Sequence, residues 1–242
     1  MDIWVSQRAS LDAPWGTPQN LGPNINTPQS DHCALLPPDG HTLIFASTRP
    51  GGLGVGTEDL YIARRRNQRD DFGWDFPENL GSGVNSASAD WGPGSFEDED
   101  TGNYILYFNS NRPGLGGFNV YASVLGNDGT FGPAVLVPEL SSAFNDTFPT
   151  PRRDGLELFL TSNRTGPGTL GGNDLWVSTR ASTSDLWSAP ANLGAPINST
   201  AMDSRGAIAF NRTNLIFFSN RAGGLGGQDL YEITREKLTG KD

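Results

Sequence analysis

Polar and apolar positions in this chain alternate over short stretches and never hold a helical period. Segments such as Leu60-Tyr61-Ile62-Ala63 and Leu43-Ile44-Phe45-Ala46-Ser47 are rich in β-formers. Gly, Pro, Asn and Asp bound them, which predicts short strands joined by tight turns.

The pattern repeats. Glu58-Asp59-Leu60-Tyr61 returns as Phe118-Asn119-Val120-Tyr121, Asn173-Asp174-Leu175-Trp176 and Gln228-Asp229-Leu230-Tyr231, with Asp2-Ile3-Trp4 as a shortened copy. The copies start 57, 60, 55 and 55 residues apart, so one unit fills the chain. Within a unit, a turn carrying an aromatic (Trp15, Trp74, Phe131, Trp187) leads to a segment such as Pro18-Gln19-Asn20-Leu21-Gly22. Ile25-Asn26-Thr27 and its copies follow, and then an Asp opens another strand. After an Asp-Gly turn, the last strand ends in Ser-x-Arg (Arg49, Arg112, Arg164, Arg221) and a Gly-rich loop.

Four antiparallel strands per unit, stacked radially, predict an all-β propeller of four-stranded blades in a single domain, residues 1–242. The repeats run over about 2–58, 59–118, 119–173 and 174–228, with a partial one at 229–242. Inner strands open at Asp31, Asp90, Asp146 and Asp203, which favours four blades. Outer-strand copies number five, so a five-bladed parent stays open. With four blades, the N-terminal segment is expected to complete the last one, and one outer strand is surplus.

Ser110-Asn111-Arg112-Pro113-Gly114-Leu115-Gly116-Gly117 and Pro190-Ala191-Asn192-Leu193-Gly194 resemble the TolB-like family of WD40-like propeller repeats, called PD40. The likeness is strongest to propeller modules that accompany peptidoglycan-binding domains in bacterial envelope proteins. The resemblance implies a periplasmic or extracellular location. Met1-Asp2-Ile3-Trp4 does not read as a signal peptide, and the chain begins inside a repeat.

Composition sharpens this picture. Only 36% of the 242 residues are hydrophobic, while 31 Gly and 17 Pro supply turns, and six Trp with thirteen Phe can still fill a core. A net charge of −10 argues against nucleic acid and anionic membranes as partners, and no apolar run is long enough to cross a bilayer. The only lysines, Lys237 and Lys241, sit in the C-terminal tail. A single cysteine, Cys33, excludes an internal disulfide and reads as a small packed residue.

The four strand-opening Asp residues are expected around one mouth of the central channel. Two readings stand side by side. As a carboxylate ring, Asp31, Asp90, Asp146 and Asp203 would take a divalent cation, calcium for an all-oxygen set and zinc or manganese if His32 joins in catalysis. As loop caps, they would accept backbone N–H groups and recur for that reason alone. Asp59, Asp174 and Asp229, with Asn119 in the same position, read as part of a tie within their own unit, between its arginine and either the Asp or the backbone. The Gly-rich loops lead into strands, not helices, and so do not read as phosphate loops.

Departures from the repeat mark candidate chemistry. The axial Asp residues are followed by His32, Trp91, Thr147 and Ser204, then by Cys33, Gly92, Phe148 and Arg205. His32 with Asp31 is the candidate catalytic pair, and Trp91 and Arg205 are candidate ligand-binding residues. The acidic turn from Phe96 to Gly102 reads as solvated, and Arg64-Arg65-Arg66 with Arg69 reads as surface salt bridging to Asp70 and Asp71.

The reading favoured by repeat regularity is a binding or interaction module with a cation at its mouth. It would take a small ligand or protein partner at the propeller face, or a second copy as a homodimer. The alternative is a metal-dependent hydrolase of phosphoesters or other esters, using the Asp ring and His32. A glycosidase ranks below both, because no axial Glu offers a raised pKa.

Overall fold

The computed structural model describes residues 1–10 and 12–236. The end of the partial fifth repeat, with Lys237 and Lys241, lies outside them. The strands are β1 (Trp4–Val5), β2 (Gln19–Asn20), β3 (Asp31–Leu35), β4 (Thr42–Ser47), β5 (Asp59–Arg64) and β6 (Glu78–Asn79). They continue with β7 (Asp90–Glu97), β8 (Tyr104–Ser110), β9 (Asn119–Val124), β10 (Val135–Leu136), β11 (Asp146–Pro151) and β12 (Glu157–Ser162). The last are β13 (Asp174–Thr179), β14 (Ala191–Asn192), β15 (Asp203–Ile208), β16 (Asn214–Ser219) and β17 (Asp229–Thr234). No helix among the described residues is long and apolar enough to cross a membrane.

The fold is an all-β propeller with four antiparallel blades, as the repeat predicts. β3–β6, β7–β10 and β11–β14 are four-stranded, and β15–β17 forms the fourth blade with three described strands. The surplus outer strand is β1, which pairs with β2 in a sheet of its own. The chain packs as two compact units, residues 1–93 and 94–242.

The middle strands are buried on both faces, which is why β4 and β12 read as nearly continuous apolar runs. In the first unit, Ile25, Leu43, Phe45, Tyr61 and Trp74 share a core with Ile3 and Leu21. In the second unit, Phe96, Tyr107, Leu140, Leu158, Trp176 and Trp187 form one cluster, and Phe159, Leu175, Leu215 and Phe217 another.

The Pro-x-Asn-Leu-Gly motif is the clamp that closes a blade. Asn192 accepts from the Gly194 N–H at 2.8 Å and holds Asn198 at 2.9 Å. Asn198 in turn accepts from the Leu175 N–H (2.8 Å) and donates to the Leu175 carbonyl (2.9 Å). Asn79 and Asn85 do the same for Leu60, and Asn20 and Asn26 for Ile3. Each clamp satisfies two backbone groups at a point where the outer ladder ends.

Of the two expected ties, the arginines make the one to backbone, Arg49 to the Ile25 carbonyl and Arg164 to that of Leu140, while Asp59 and Asp174 bond elsewhere. Asp59 accepts from the Leu53 N–H (2.6 Å) of the Gly-rich loop and from Asn79 (2.8 Å), and Asp174 repeats this with Leu170 and Asn192. The loop passes so close that a Cβ on Gly52 would lie 2.7 Å from Asp59 Oδ2, which is why glycine stands there. The second blade departs from this pattern consistently. Asn119 replaces the Asp where Leu136 replaces the fourth-strand Asn, so acceptor and donor change together.

Candidate functional site

The strand-opening carboxylates are fully buried, each 0% exposed. Asp31 Oδ1 accepts from Ser47 Oγ (2.6 Å) and Arg49 Nη2 (2.8 Å), while Oδ2 accepts from the Thr27 N–H (2.6 Å) and hydroxyl (2.8 Å). Asp146 is held by Ser162, Arg164 and Ser142, and Asp203 by Arg221 and Ser199. Asp90 accepts from the Ser86 N–H and hydroxyl. The arginine of each Ser-x-Arg lies over aromatic rings of its own blade, Arg49 over Phe45 and Tyr61 and Arg221 over Phe217 and Tyr231.

Burial pushes the Asp31 carboxyl up, but hydrogen bonds from Ser47, Arg49 and Thr27 more than offset it and hold the group below the ordinary carboxylate range. The same balance, with Arg221, Ser219 and Ser199 as donors, lowers Asp203. A carboxylate kept ionised by its own blade is a loop cap, and this supports the capping reading of the pair. Among the described residues, no group of three or more His, Cys, Asp or Glu is placed to hold a metal ion.

The inner strands carry a second repeated device. The third residue of each has a positive φ: Cys33 (54°), Gly92 (66°), Phe148 (52°) and Arg205 (54°). The ladder shifts register after His32, Thr147 and Ser204, so this is a β-bulge, which bends the strand and re-aims its side chains. A non-glycine residue there carries backbone strain. In the second unit, the Phe148 N–H is taken by Asn109 (3.1 Å) and the Arg205 N–H by Thr161 (2.9 Å).

In the first unit the bulge turns Cys33 and His32 toward each other. His32 Nδ1 and Cys33 Sγ lie 2.8 Å apart. On the far side of the ring, Nε2 is 4.0 Å from Glu58 Oε1, and the His32 and Glu58 side chains are 13% and 32% exposed. Cys33 is half-buried. Thiol, imidazole and carboxylate thus stand in line, with the imidazole in the middle.

Of the expected site residues, His32 is in this cluster. Asp31 is committed to the Arg49 cap, and Glu58 takes the place beside the imidazole that Asp31 was expected to fill. Trp91 is half-buried at the homologous position of the next inner strand. Arg205 lies over the Phe148 ring at 4.2 Å, in the second unit. Glu58 escaped the reading of the sequence, although a signal existed. Its counterparts before the outer-strand Asp or Asn are Phe118, Asn173 and Gln228, so the acid occurs only in the blade that carries the histidine.

One surface expectation changes as well. Arg65 is not a surface residue. It is buried over Trp74 at 4.5 Å and bonds Asp71 and the Gly40 carbonyl. The acidic turn of the second repeat is solvated as expected, with Glu97, Glu99, Asp100 and Thr101 exposed, while Asp98 accepts from Thr101 and the Asp100 N–H and Phe96 enters the core.

No family model matches the chain, and no curated protein matches it. Solved structures do. One is a compost-metagenome β-xylosidase/α-arabinofuranosidase of glycoside hydrolase family 43, at TM-score 0.59 and 12% identity over 99% of this chain and 82% of that one. Another is the Penicillium chrysogenum α-L-arabinanase, at TM-score 0.55 and 13% identity, covering 96% of this chain and 67% of that one. A family-43 enzyme from a capybara gut metagenome gives TM-score 0.57 and 12% identity, with 85% of this chain spanning 39% of its length. At such identity the likeness establishes the propeller fold. These neighbours are glycoside hydrolases, and this corrects the expectation of a pure binding module.

Proposed function

We propose that the chain is a hydrolase of carbohydrate-borne acyl esters, with Cys33 as nucleophile, His32 as its base and Glu58 as the group that orients His32. The observation that carries this reading is the alignment of Cys33 Sγ, His32 and Glu58 at the first inner-strand bulge. An imidazole backed by a carboxylate and facing a thiol is the geometry of an activated nucleophile.

The thiol proton passes to His32 Nδ1 as Sγ attacks the ester carbonyl carbon. The C–O bond breaks, the departing alkoxide takes that proton, and a thioester remains on Cys33. Water, deprotonated by His32, then cleaves the thioester, releases the acid and restores the thiol. The Glu58 carboxylate, 4.0 Å from Nε2, favours the proton on that nitrogen by its charge and so leaves Nδ1 as the basic one.

Ester cleavage suits the residues better than glycoside cleavage. A glycosidase needs a carboxylic acid with a proton to give. Against the upward push of burial, the inner-strand carboxylates are held ionised by hydrogen bonds, Asp31 by Ser47 and Arg49 and Asp203 by Arg221 and Ser219, and offer none. The glycoside hydrolases of like fold support a saccharide as the carrier of the ester. The Ser-x-Arg and Gly-rich-loop signature supports assigning the repeat to the TolB-like, PD40 kind, and with it a bacterial envelope setting.

A panel of acylated sugars and p-nitrophenyl esters, run beside p-nitrophenyl glycosides, tests the reading. Ester turnover that falls by about 10²–10⁴ in Cys33→Ala and His32→Gln is the expected result. Glycoside turnover without ester turnover would overturn it.

A further inference from the structure

Two positions on the outer strands of each unit change together from copy to copy. In blade one they are Arg64 and Glu78, which bond at 3.3 Å. In the second blade they are Val124 and Val135, and in the third Thr179 and Ala191. In the β1–β2 sheet both are amides, Gln7 and Gln19.

The turn of blade one that meets this sheet departs from the repeat as well. Eight residues, 66–73, stand between Arg65 and Trp74. Six, 181–186, stand between Arg180 and Trp187, and five, 126–130, between Leu125 and Phe131. The two departures meet within the first unit, in a groove of about 440 Å³. Gln7, Thr17 and Gln19 line one wall, and Arg69, Asp71 and Phe72 the other. Small-molecule sites span about 300–1,000 Å³, so the groove has the room of one.

A buried charge fixes its floor. Arg65, 7% exposed, donates to Asp71 Oδ1 at 2.8 Å, and Asp71 Oδ2 accepts from Gln7 Nε2. The Gln7 amide is thereby oriented before any ligand arrives. Asp70 accepts from the Phe72 N–H at 3.1 Å and so holds the turn that presents the Phe72 ring, which is 50% exposed. Thr17 and Gln19 add an exposed hydroxyl and a second amide.

This lining suits a neutral, many-hydroxyl ligand. Arg69 stands beside Asp70 and Asp71, so neither sign of charge dominates and no ion is favoured. Amides and carboxylates are planar and two-pronged, and they match adjacent hydroxyls, while an exposed aromatic face matches the C–H face of a sugar ring. We infer that the groove is a second ligand site, which takes a neutral oligosaccharide with one ring on Phe72 and its hydroxyls on Gln7 and Gln19. It lies at the opposite end of blade one from Cys33. β5 runs from Asp59, next to Glu58, to Arg64, where the turn begins, and its six residues span about 16 Å. The site therefore holds a saccharide without touching the reacting groups, and it does not depend on the ester chemistry proposed above.

Calorimetry of the intact protein with unacylated xylo-, gluco-, manno- and N-acetylgluco-oligosaccharides tests this. One-to-one binding of at least one series is expected. Phe72→Ala and Gln19→Ala, both at exposed positions, should each weaken it by about tenfold or more with Tm unchanged. No binding in any series, or binding that either variant leaves unchanged, overturns the inference. So does binding that is lost in His32→Gln and kept in the two groove variants, which would place the saccharide beside Cys33. Turnover of a small activated ester is measured apart from binding, so failure of the one is distinguishable from failure of the other.

Discussion

The third and last blades share a strand order and a sequence repeat, yet one is sealed and the other is open. In the third, β14 covers β13, the Asn192–Asn198 clamp holds Leu175, and Trp187 lies between Arg180 and Tyr107. In the last, Arg235 turns to Glu157 with a bidentate pair at 2.6 and 2.7 Å, and Leu230 faces solvent. The difference teaches that the middle strands make a blade, while the aromatic turn and the Asn clamp seal it. Inner strand, Asp cap and Ser-x-Arg are intact in both.

Replacing Trp187 by Ala should break that contrast most severely. It removes a buried indole, and chemical denaturation is expected to show a loss of about 3–5 kcal/mol. The leucine pair sharpens the contrast directly. Leu175→Ala should cost about 2–5 kcal/mol, while Leu230→Ala at the same register should stay within about 0.5 kcal/mol. Equal losses would mean that the last blade is sealed in solution. Asn198→Ala strips the Leu175 N–H and carbonyl of their partner, and should cost about 1–3 kcal/mol by the same assay.

Acid should affect the feature that both blades share. The Asp203 carboxyl is depressed in the folded protein relative to an unfolded value of about 3.9. Its contribution to stability is therefore complete above that pH and is lost as pH falls through the folded value. A Tm series from pH 6 downward should decline in the acid limb, and Asp203→Asn should start lower and flatten that decline.

Much of the fold was legible because the physics of each unit is local. The 57, 60, 55 and 55 residue spacings, the Asp-Gly turns and the strand-opening Asp placed the strands and the number of blades. The partners of the Asp residues were less legible. Arginine reaches back along the strand to Asp31, and Asp59 instead serves the Gly-rich loop, because the loop folds over the outer strand and brings its N–H groups there. At the candidate site, His32 stood out as a departure from the repeat. Cys33 and Glu58 did not, because their approach to His32 depends on a bulge that a cysteine at φ 54° does not announce and on an acid 26 positions from that histidine in sequence.

Intact-mass spectrometry of the protein, quenched during turnover of an activated acyl ester, tests the central claim most directly. The account predicts a single acyl adduct that maps to Cys33, absent from Cys33→Ala and much reduced in His32→Gln. Ester hydrolysis that continues in Cys33→Ala with no adduct on any variant would contradict it.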